Sequence, residues 1–374
     1  MRLMEKILVA VDFDESSRRA FQMAAVLARA FGSELVLYHV SEDLGDFPVE
    51  RSHLKEASEA RLAEYRNEIE EHDVKSVRTE LVEGNPLEEI CRAASEENAN
   101  LVVVGNGEKP EDARHKLGTT AGKLIRTCEK PVWVVKKNSP ARITTILCPV
   151  DFSDTSARAL KNAVYLAREF YAELVVLHVI QHFKYVWRLS DAANLKAHED
   201  WFRLQKENME KFLQRFDFHN IRWRKEVWDG EPPEQILAAI RDTGADLAVM
   251  GSTGKTGLAR LVMGSTTEKI TRVMPCSIIT MKQEQLVSVE LAREIENIER
   301  HYQLGLEYLE KGLYEQAGDE FTICLNRDMM YAPAWEGLAE AKEKLKLPQD
   351  AAYAREKAQT IRKTIWKYPP EKAE

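Results

Sequence analysis

The sequence predicts an α/β protein: two doubly wound domains built on parallel sheets, followed by a small all-α domain of helical repeats. Three observations carry this reading. Short apolar runs alternate with stretches of helical period as far as Lys282, the pattern of strands and covering helices in a parallel sheet. The same order of landmarks then occurs twice. Beyond Lys282 the strand signals stop and a 34-residue period replaces them.

In chain order, Ile7 to Val11 is a strand ending at Asp12. Arg18 to Phe31 carries a helical stripe through Ala20, Met23, Ala24, Leu27 and Ala28, which Gly32 stops. Leu35 to Val40 is the second strand, and a helix follows through Leu54, Leu62, Tyr65 and Ile69. Val77 to Val82 alternates as an edge strand, and Gly84-Asn85-Pro86 starts a helix through Leu87, Ile90 and Cys91. Leu101 to Val104 is a buried strand ending at Gly105. A helix is expected near Lys123, and Pro131 leads into the fifth strand, Val132-Trp133-Val134-Val135.

These landmarks recur. Asp12 matches Asp151 and His39-Val40 matches His178-Val179 at an offset of 139, whereas Gly84, Gly105 and Gly118 match Gly230, Gly251 and Gly264 at an offset of 146. The second copy therefore gains seven residues between His178 and Gly230. That excursion holds Phe183, Tyr185, Trp187, Trp201, Phe202, Phe212 and Phe216. Aromatics at helical spacing favour a helix packed on its own sheet over a ligand lid. The two domains are placed at 1–138 and 142–283.

After them, Val287, Leu291, Ile295, Ile298 and Tyr302 form one helical stripe, read as a bridging helix at 284–297 rather than a dimerising coiled coil. The 34-residue period sets Leu304-Gly305 against Leu338-Ala339, Ala317 against Ala351 and Cys324 against Ala358. Tyr308, Gly312, Tyr314, Phe321 and Leu325 fill the first unit; Trp335 opens the second, which has Lys342 where a tyrosine is expected. Units 298–331 and 332–365 resemble tetratricopeptide repeats and make up a last domain at 298–366. Two repeats are fewer than such arrays need alone, so the bridging helix or the α/β body is expected to cap them.

Composition narrows the function. Apolar residues make up 44% and charged residues 30% of the chain, and no run approaches the roughly 20 apolar residues of a membrane span. The start MRLMEKILVAVDF enters a strand pattern without signal-peptide features, so a cytoplasmic location is expected. Cys91, Cys128, Cys148, Cys276 and Cys324 are scattered without CxxC spacing, which predicts neither a disulfide framework nor a metal site. A net charge of −8 counts against nonspecific nucleic-acid binding.

The chemistry concentrates at Gly251 to Lys269, GSTGKTGLARLVMGSTTEK. The apolar run Leu247-Ala248-Val249-Met250 reads as a buried strand, broken by Gly251 and Gly254. Gly264-Ser265-Thr266-Thr267 then leads into a helix whose N-terminal N–H groups, hydroxyls and dipole favour an anion. In doubly wound sheets a ligand sits beyond the carboxyl ends of the strands where strand order reverses. Asp151, at the end of the second copy's first strand, would share that crevice and accept hydrogen bonds from a ribose hydroxyl or an adenine amine. Its rival role is capping the next helix, for which Ser153 and Asp154 are better placed.

Pro149-Val150-Asp151-Phe152-Ser153, Leu177-His178-Val179, and Gly251-x2-Gly254-x9-Gly264-Ser265 together resemble the universal stress protein family, specifically its ATP-binding branch. The resemblance covers both α/β copies. It implies five-stranded parallel sheets of the adenine nucleotide alpha hydrolase type and a glycine motif that binds triphosphate and ribose. By position it implies that Asp151 and Val179 contact adenine or its backbone environment, that Met250 and Gly251 border ribose, and that Pro149 and Val150 belong to the same cofactor site. Gly254, Gly264, Ser265 and Thr266 would hold phosphates. The implied ligand is ATP, with Mg2+ accompanying it. Tandem members pair their two domains internally, an arrangement this duplication matches; a homodimer stays open.

The first copy departs from the pattern. Glu108 stands at the second glycine of Gly105-Asn106-Gly107-Glu108, and Ala10 replaces the proline. A carboxylate repels triphosphate, so this copy reads as a degenerate, mainly structural or pairing domain, with binding of another ligand by the nonmatching loop as the alternative. Gly254-Lys255-Thr256 resembles the end of a Walker A loop, but the leading glycine would fall on Val249, inside the strand. His178 reads as a packed histidine, and Glu88-Glu89 and Glu96-Glu97 as solvated acids; no catalytic residue is assigned. The expected function is nucleotide-dependent stress signalling or adaptor work, with a protein partner bound through 298–366. A slow ATPase or nucleotide transferase using Lys255 and a nucleotide-free scaffold are the alternatives.

Overall fold

The structure, a computed structural model, describes residues 4–41, 48–70, 74, 76–107, 119–181, 191–252, 263–273, 275–282 and 289–364. The first unit runs β1 (Lys6–Ala10), α1 (Glu15–Phe31), β2 (Glu34–Ser41), α2 (Pro48–Glu70), β3 (Val77–Glu83), α3 (Pro86–Glu96), β4 (Leu101–Gly105), α4 (Thr119–Thr127) and β5 (Val132–Val135). The second repeats it: β6 (Thr145–Val150), α5 (Asp154–Phe170), β7 (Glu173–Ile180), α6 (Asp191–Leu213), β8 (Arg222–Asp229), α7 (Pro232–Thr243), β9 (Leu247–Gly251), α8 (Ser265–Val273) and β10 (Ser277–Met281). Helices α9 (Val289–Glu310), α10 (Tyr314–Arg327), α11 (Ala332–Lys344) and α12 (Pro348–Thr364) follow.

Each helix starts where its local chemistry permits. The Asp14 carboxylate caps α1, the Asn85 side chain accepts from Leu87 N–H ahead of Pro86 at the start of α3, and Ser153 Oγ accepts from Ser156 N–H at the start of α5. Gly32 ends α1 in the left-handed region at φ 64°. Its counterpart after α5 is Tyr171, which adopts φ 52° despite its side chain. The Arg362 guanidinium of α12 lies 5.0 Å from the Tyr171 ring centroid, so the strained position carries a contact to the C-terminal helices.

The strands form one ten-stranded sheet in the order β3-β2-β1-β4-β5-β10-β9-β6-β7-β8. Every described pairing is parallel except β5 with β10, where the two units meet edge to edge. Lys136 N–H donates to Ser277 Oγ (3.1 Å), Lys136 Nζ to the Pro275 carbonyl (3.0 Å), and Arg126 pairs with Glu268 (3.1 Å) across that seam. Both sheet faces are covered. Strand residues such as Leu8, Val36, Leu147 and Val249 are fully buried, as parallel strands require.

The helical tail does not hang free of this body. Helix α9 runs unbroken through the boundary expected between bridging helix and repeats. Ala332, Ala358 and Ile361 of α11 and α12 belong to the same apolar core as α1 and α5. A buried polar cluster adds to the joint: Glu299 accepts from Asn220 Nδ2 (2.7 Å) and from Tyr331 Oη (3.0 Å), and faces Arg168 at 3.6 Å.

Candidate functional site

Within the second unit, β6 is flanked by β7 on one side and β9 on the other, so strand order reverses at its carboxyl end. Ligand sites in such sheets open at that reversal. A cavity of about 410 Å³ lies there, within the range of small-molecule pockets. Its walls include Pro149, Val150, Asp151, Val179, Met250, Gly251, Gly264, Ser265 and Thr266. Nine of the ten residues singled out from the sequence thus surround one space, though they come from four separate segments. The tenth, Gly254, lies outside the described residues, as do Lys255 and, in the first unit, Glu108 and Gly118.

The floor is set by tight backbone geometry. A Cβ on Gly251 would sit 3.1 Å from the carbonyl carbon and side chain of Thr155, so glycine lets β9 approach the start of α5. Thr267 Oγ1 donates to the Gly251 carbonyl (2.8 Å), and Gly264 N–H donates to the Ser252 carbonyl (2.8 Å). These bonds fix the first turn of α8 beside the end of β9. N–H groups in a helix's first turn have no partner within the helix, and there the dipole favours negative charge. Ser265 and Thr266 add hydroxyls at the same spot.

Asp151 is held rather than loose. Its Oδ1 accepts from Ser153 N–H (3.0 Å) and Ser153 Oγ (2.5 Å), while Ser153 caps α5. The cap is therefore the serine, and the aspartate orients it from the cavity wall. Between them Phe152 takes φ 66° and stacks on His178, ring centroids 4.2 Å apart. His178 is buried and its Nδ1 donates to the Val150 carbonyl (2.8 Å), which fits a packed histidine. The first unit repeats this arrangement: Phe13 at φ 64° lies 4.5 Å from His39, whose Nδ1 donates to the Val11 carbonyl (2.7 Å).

At its own strand ends the first unit differs. Ser16 Oγ accepts from Gly107 N–H (3.0 Å), Lys137 N–H binds Asn106 Oδ1 (3.0 Å), and Lys137 pairs with Glu15 (2.6 Å). Gly107 is thus tied to α1, and Asn106 to the segment after β5. Asp14 stands where the second unit has Ser153, placing a second carboxylate beside Asp12.

Part of the wall lies outside the sequence motifs. Trp201 and Gln205 of α6 and Pro232 and Ile236 of α7 also line the cavity. Trp201 was visible in the aromatic excursion, which divides its labour: Phe212 is buried in the core, whereas Trp201 remains 40% exposed at the cavity.

Comparison with known proteins bears on the family and the fold. Residues 4–136 and 142–282 each match the profile of the universal stress protein family. A universal stress protein of Methanocaldococcus jannaschii is 32% identical over 145 residues, covering 37% of this chain and 81% of that protein. One of Synechocystis is 24% identical over 307 residues, covering 75% of this chain and 100% of that protein. Among solved structures, a universal stress protein from Archaeoglobus fulgidus matches with a TM-score of 0.56 at 21% identity, covering 74% of this chain and 98% of that one, a likeness of fold.

Proposed function

The chain belongs to the universal stress protein family, and from that premise we propose that the cavity between β6 and β9 binds one adenine nucleotide, ATP with its Mg2+. The observation that carries this reading is the convergence of nine motif residues on one cavity at the strand reversal. The donor set fits the ligand. The first turn of α8, with Ser265 and Thr266, offers N–H and hydroxyl donors to phosphate. Asp151 offers a carboxylate to ribose hydroxyls or the adenine amine, Val179 gives an apolar surface to the base, and Met250 and Gly251 border the ribose. The bound metal would offset phosphate charge.

Helix α5 suggests how occupancy reaches the tail. Its first turn reaches the cavity through Ser156, and its far end sets Arg168 and Tyr171 against α9 and α12. Its 17 residues make a rod of roughly 25 Å. In this reading the chain is a nucleotide-dependent signalling or adaptor protein whose repeat-like helices dock a protein partner.

Isothermal titration of the full chain with Mg-ATP should give one site per chain. Gly264→Val should lose it while thermal melting stays cooperative. A wild-type titration without binding heat, or equal affinity in the variant, would overturn the assignment.

A further inference from the structure

Helix α6 brings to the cavity a wall that the motif residues do not account for. Trp201, Gln205, Met209 and Phe212 form one stripe of this helix at spacings of four, four and three. Met209 and Phe212 are buried in the core, whereas Trp201 and Gln205 line the cavity. Gln205 is only 7% exposed, and its amide makes no hydrogen bond to any described residue. An amide buried in that way is costly until something bonds it. Trp201 keeps 40% of its surface open at the same cavity.

The first unit shows what packing alone puts there. Helices α2 and α6 are each 23 residues long, and aligned end to end they set Leu62 opposite Gln205 and Ser58 opposite Trp201. Leu62 belongs to the apolar core. The tryptophan and the glutamine are therefore not demanded by the fold; they occur in the unit that keeps both spaced glycines and the serine turn.

Topology says which part of a nucleotide meets them. The anion-binding turn at Ser265 follows β9 on one side of β6, and Val179 lies at the end of β7 on the other. A nucleotide with its phosphates at Ser265 and its ribose beside Asp151 and Gly251 places its base at β7. Helix α6 follows β7 in the chain and packs on one face of the sheet, while Ile236 of α7 packs on the other. The base end of the cavity thus has a wall from each face, Trp201 and Gln205 against Pro232 and Ile236.

Building on the nucleotide reading above, we propose that Trp201 and Gln205 recognise the base: Trp201 stacks on the purine, and the Gln205 amide accepts from the N6 amine of adenine and donates to N7. An indole offers its face to any base. The amide sets an acceptor beside a donor, which the N6/N7 edge of adenine matches. Hypoxanthine and guanine present O6 and N7, two acceptors, and leave the amide carbonyl facing an oxygen. The pair supplies a selection for adenine that the phosphate donors cannot.

The test titrates the full chain with Mg-ATP and with Mg-ITP, whose base has oxygen in place of the amine. The wild-type chain should bind ATP about tenfold or more tightly than ITP. Gln205→Leu, which installs the residue of the first unit, should bring ATP down to the level of ITP and raise the ligand-free melting temperature, because an unpaired buried amide is gone. A glutamine with a merely structural role would lower the melt and leave the ratio alone. Trp201→Ala should weaken both nucleotides by a similar factor. Equal wild-type affinities for ATP and ITP, or a ratio unchanged in Gln205→Leu, would overturn the base assignment while the nucleotide site stands. A wild-type chain that binds neither would remove both.

Discussion

Trp133 on β5 pairs directly with Ile279 on β10, and the two occupy the same position in the two copies of the fold, 146 residues apart. A residue facing its own counterpart across antiparallel strands lies on a pseudo-twofold axis, the isologous geometry of a symmetric dimer enclosed in one chain. Trp133 is fully buried there, and its indole N–H has no hydrogen-bond partner among the described residues. Trp133→Ala should cost about 3–5 kcal/mol in urea denaturation. Trp133→Phe should cost under ~1 kcal/mol, because losing packing area is offset by removing an unsatisfied donor. Equal losses would mean that the indole N–H is bonded after all.

Phe321 of α10 is fully buried between two glycines: a Cβ on Gly305 of α9 would come within 2.6 Å of its ring, and one on Gly337 of α11 within 2.5 Å. Gly305→Ala should therefore destabilise the chain by about 1–3 kcal/mol through overpacking. Gly318, in the middle of α10, has only Leu338 Cδ1 at 3.8 Å from its would-be Cβ. Gly318→Ala should stabilise by roughly 0.5–1 kcal/mol, the helix-propensity gain. Thermal melts of the two variants should move in opposite directions.

The joint between α5 and the tail rests on Arg168 and Glu299, both buried. Asn220, Tyr331 and the His219 carbonyl supply their further hydrogen bonds. Arg168→Met or Glu299→Leu alone should cost about 3–5 kcal/mol, because each strands a buried charge, and the double variant should recover most of it. A double-mutant cycle with additive losses would show that the pair is not coupled.

Burial lowers the His39 imidazole below its ordinary 6.5, despite the Val11 carbonyl and Asp12 favouring its charged form. As pH falls below that value, the unfolded chain takes the proton before the folded chain does. Stability is thus fully present above 6.5 and declines as pH drops toward the folded value. Denaturation midpoints between pH 7 and 5, followed as an order-of-magnitude check on linkage, should show this slope shrink in His39→Asn.

Much of this architecture was legible in the chain because it is local or repeated. Strand ends at Asp12 and Asp151, the stop at Gly32 and the matched glycines follow from period and turn chemistry, and duplication lets each copy check the other. That Asp151, Gly251 and Ser265 share one cavity was legible for the same reason, since strand ends and a helix start lie where strand order reverses. Contacts between distant elements were not. Nothing in the sequence pairs Asn220 with Glu299 or Lys136 with Ser277, and Tyr171 occupies a left-handed position where the first copy has glycine. Trp201 reads from the sequence as one of the packed aromatics, because helical period alone does not say which turn of α6 faces the cavity.

The contrast between Asp14 and Ser153 separates binding from folding. Both residues cap the first helix of their unit, and aspartate and serine are comparable caps. Ser153→Asp should therefore leave stability nearly unchanged. It would place a second carboxylate beside Asp151 at the cavity, where repulsion of phosphate at an effective dielectric near 20 amounts to a few kcal/mol before screening. Mg-ATP affinity by titration should fall about tenfold or more, and the deficit should narrow as salt is raised. Unchanged affinity in a stable variant would mean that phosphate does not approach the start of α5. An equal loss for Ser153→Ala, which adds no charge, would trace the effect to the released Asp151 side chain instead.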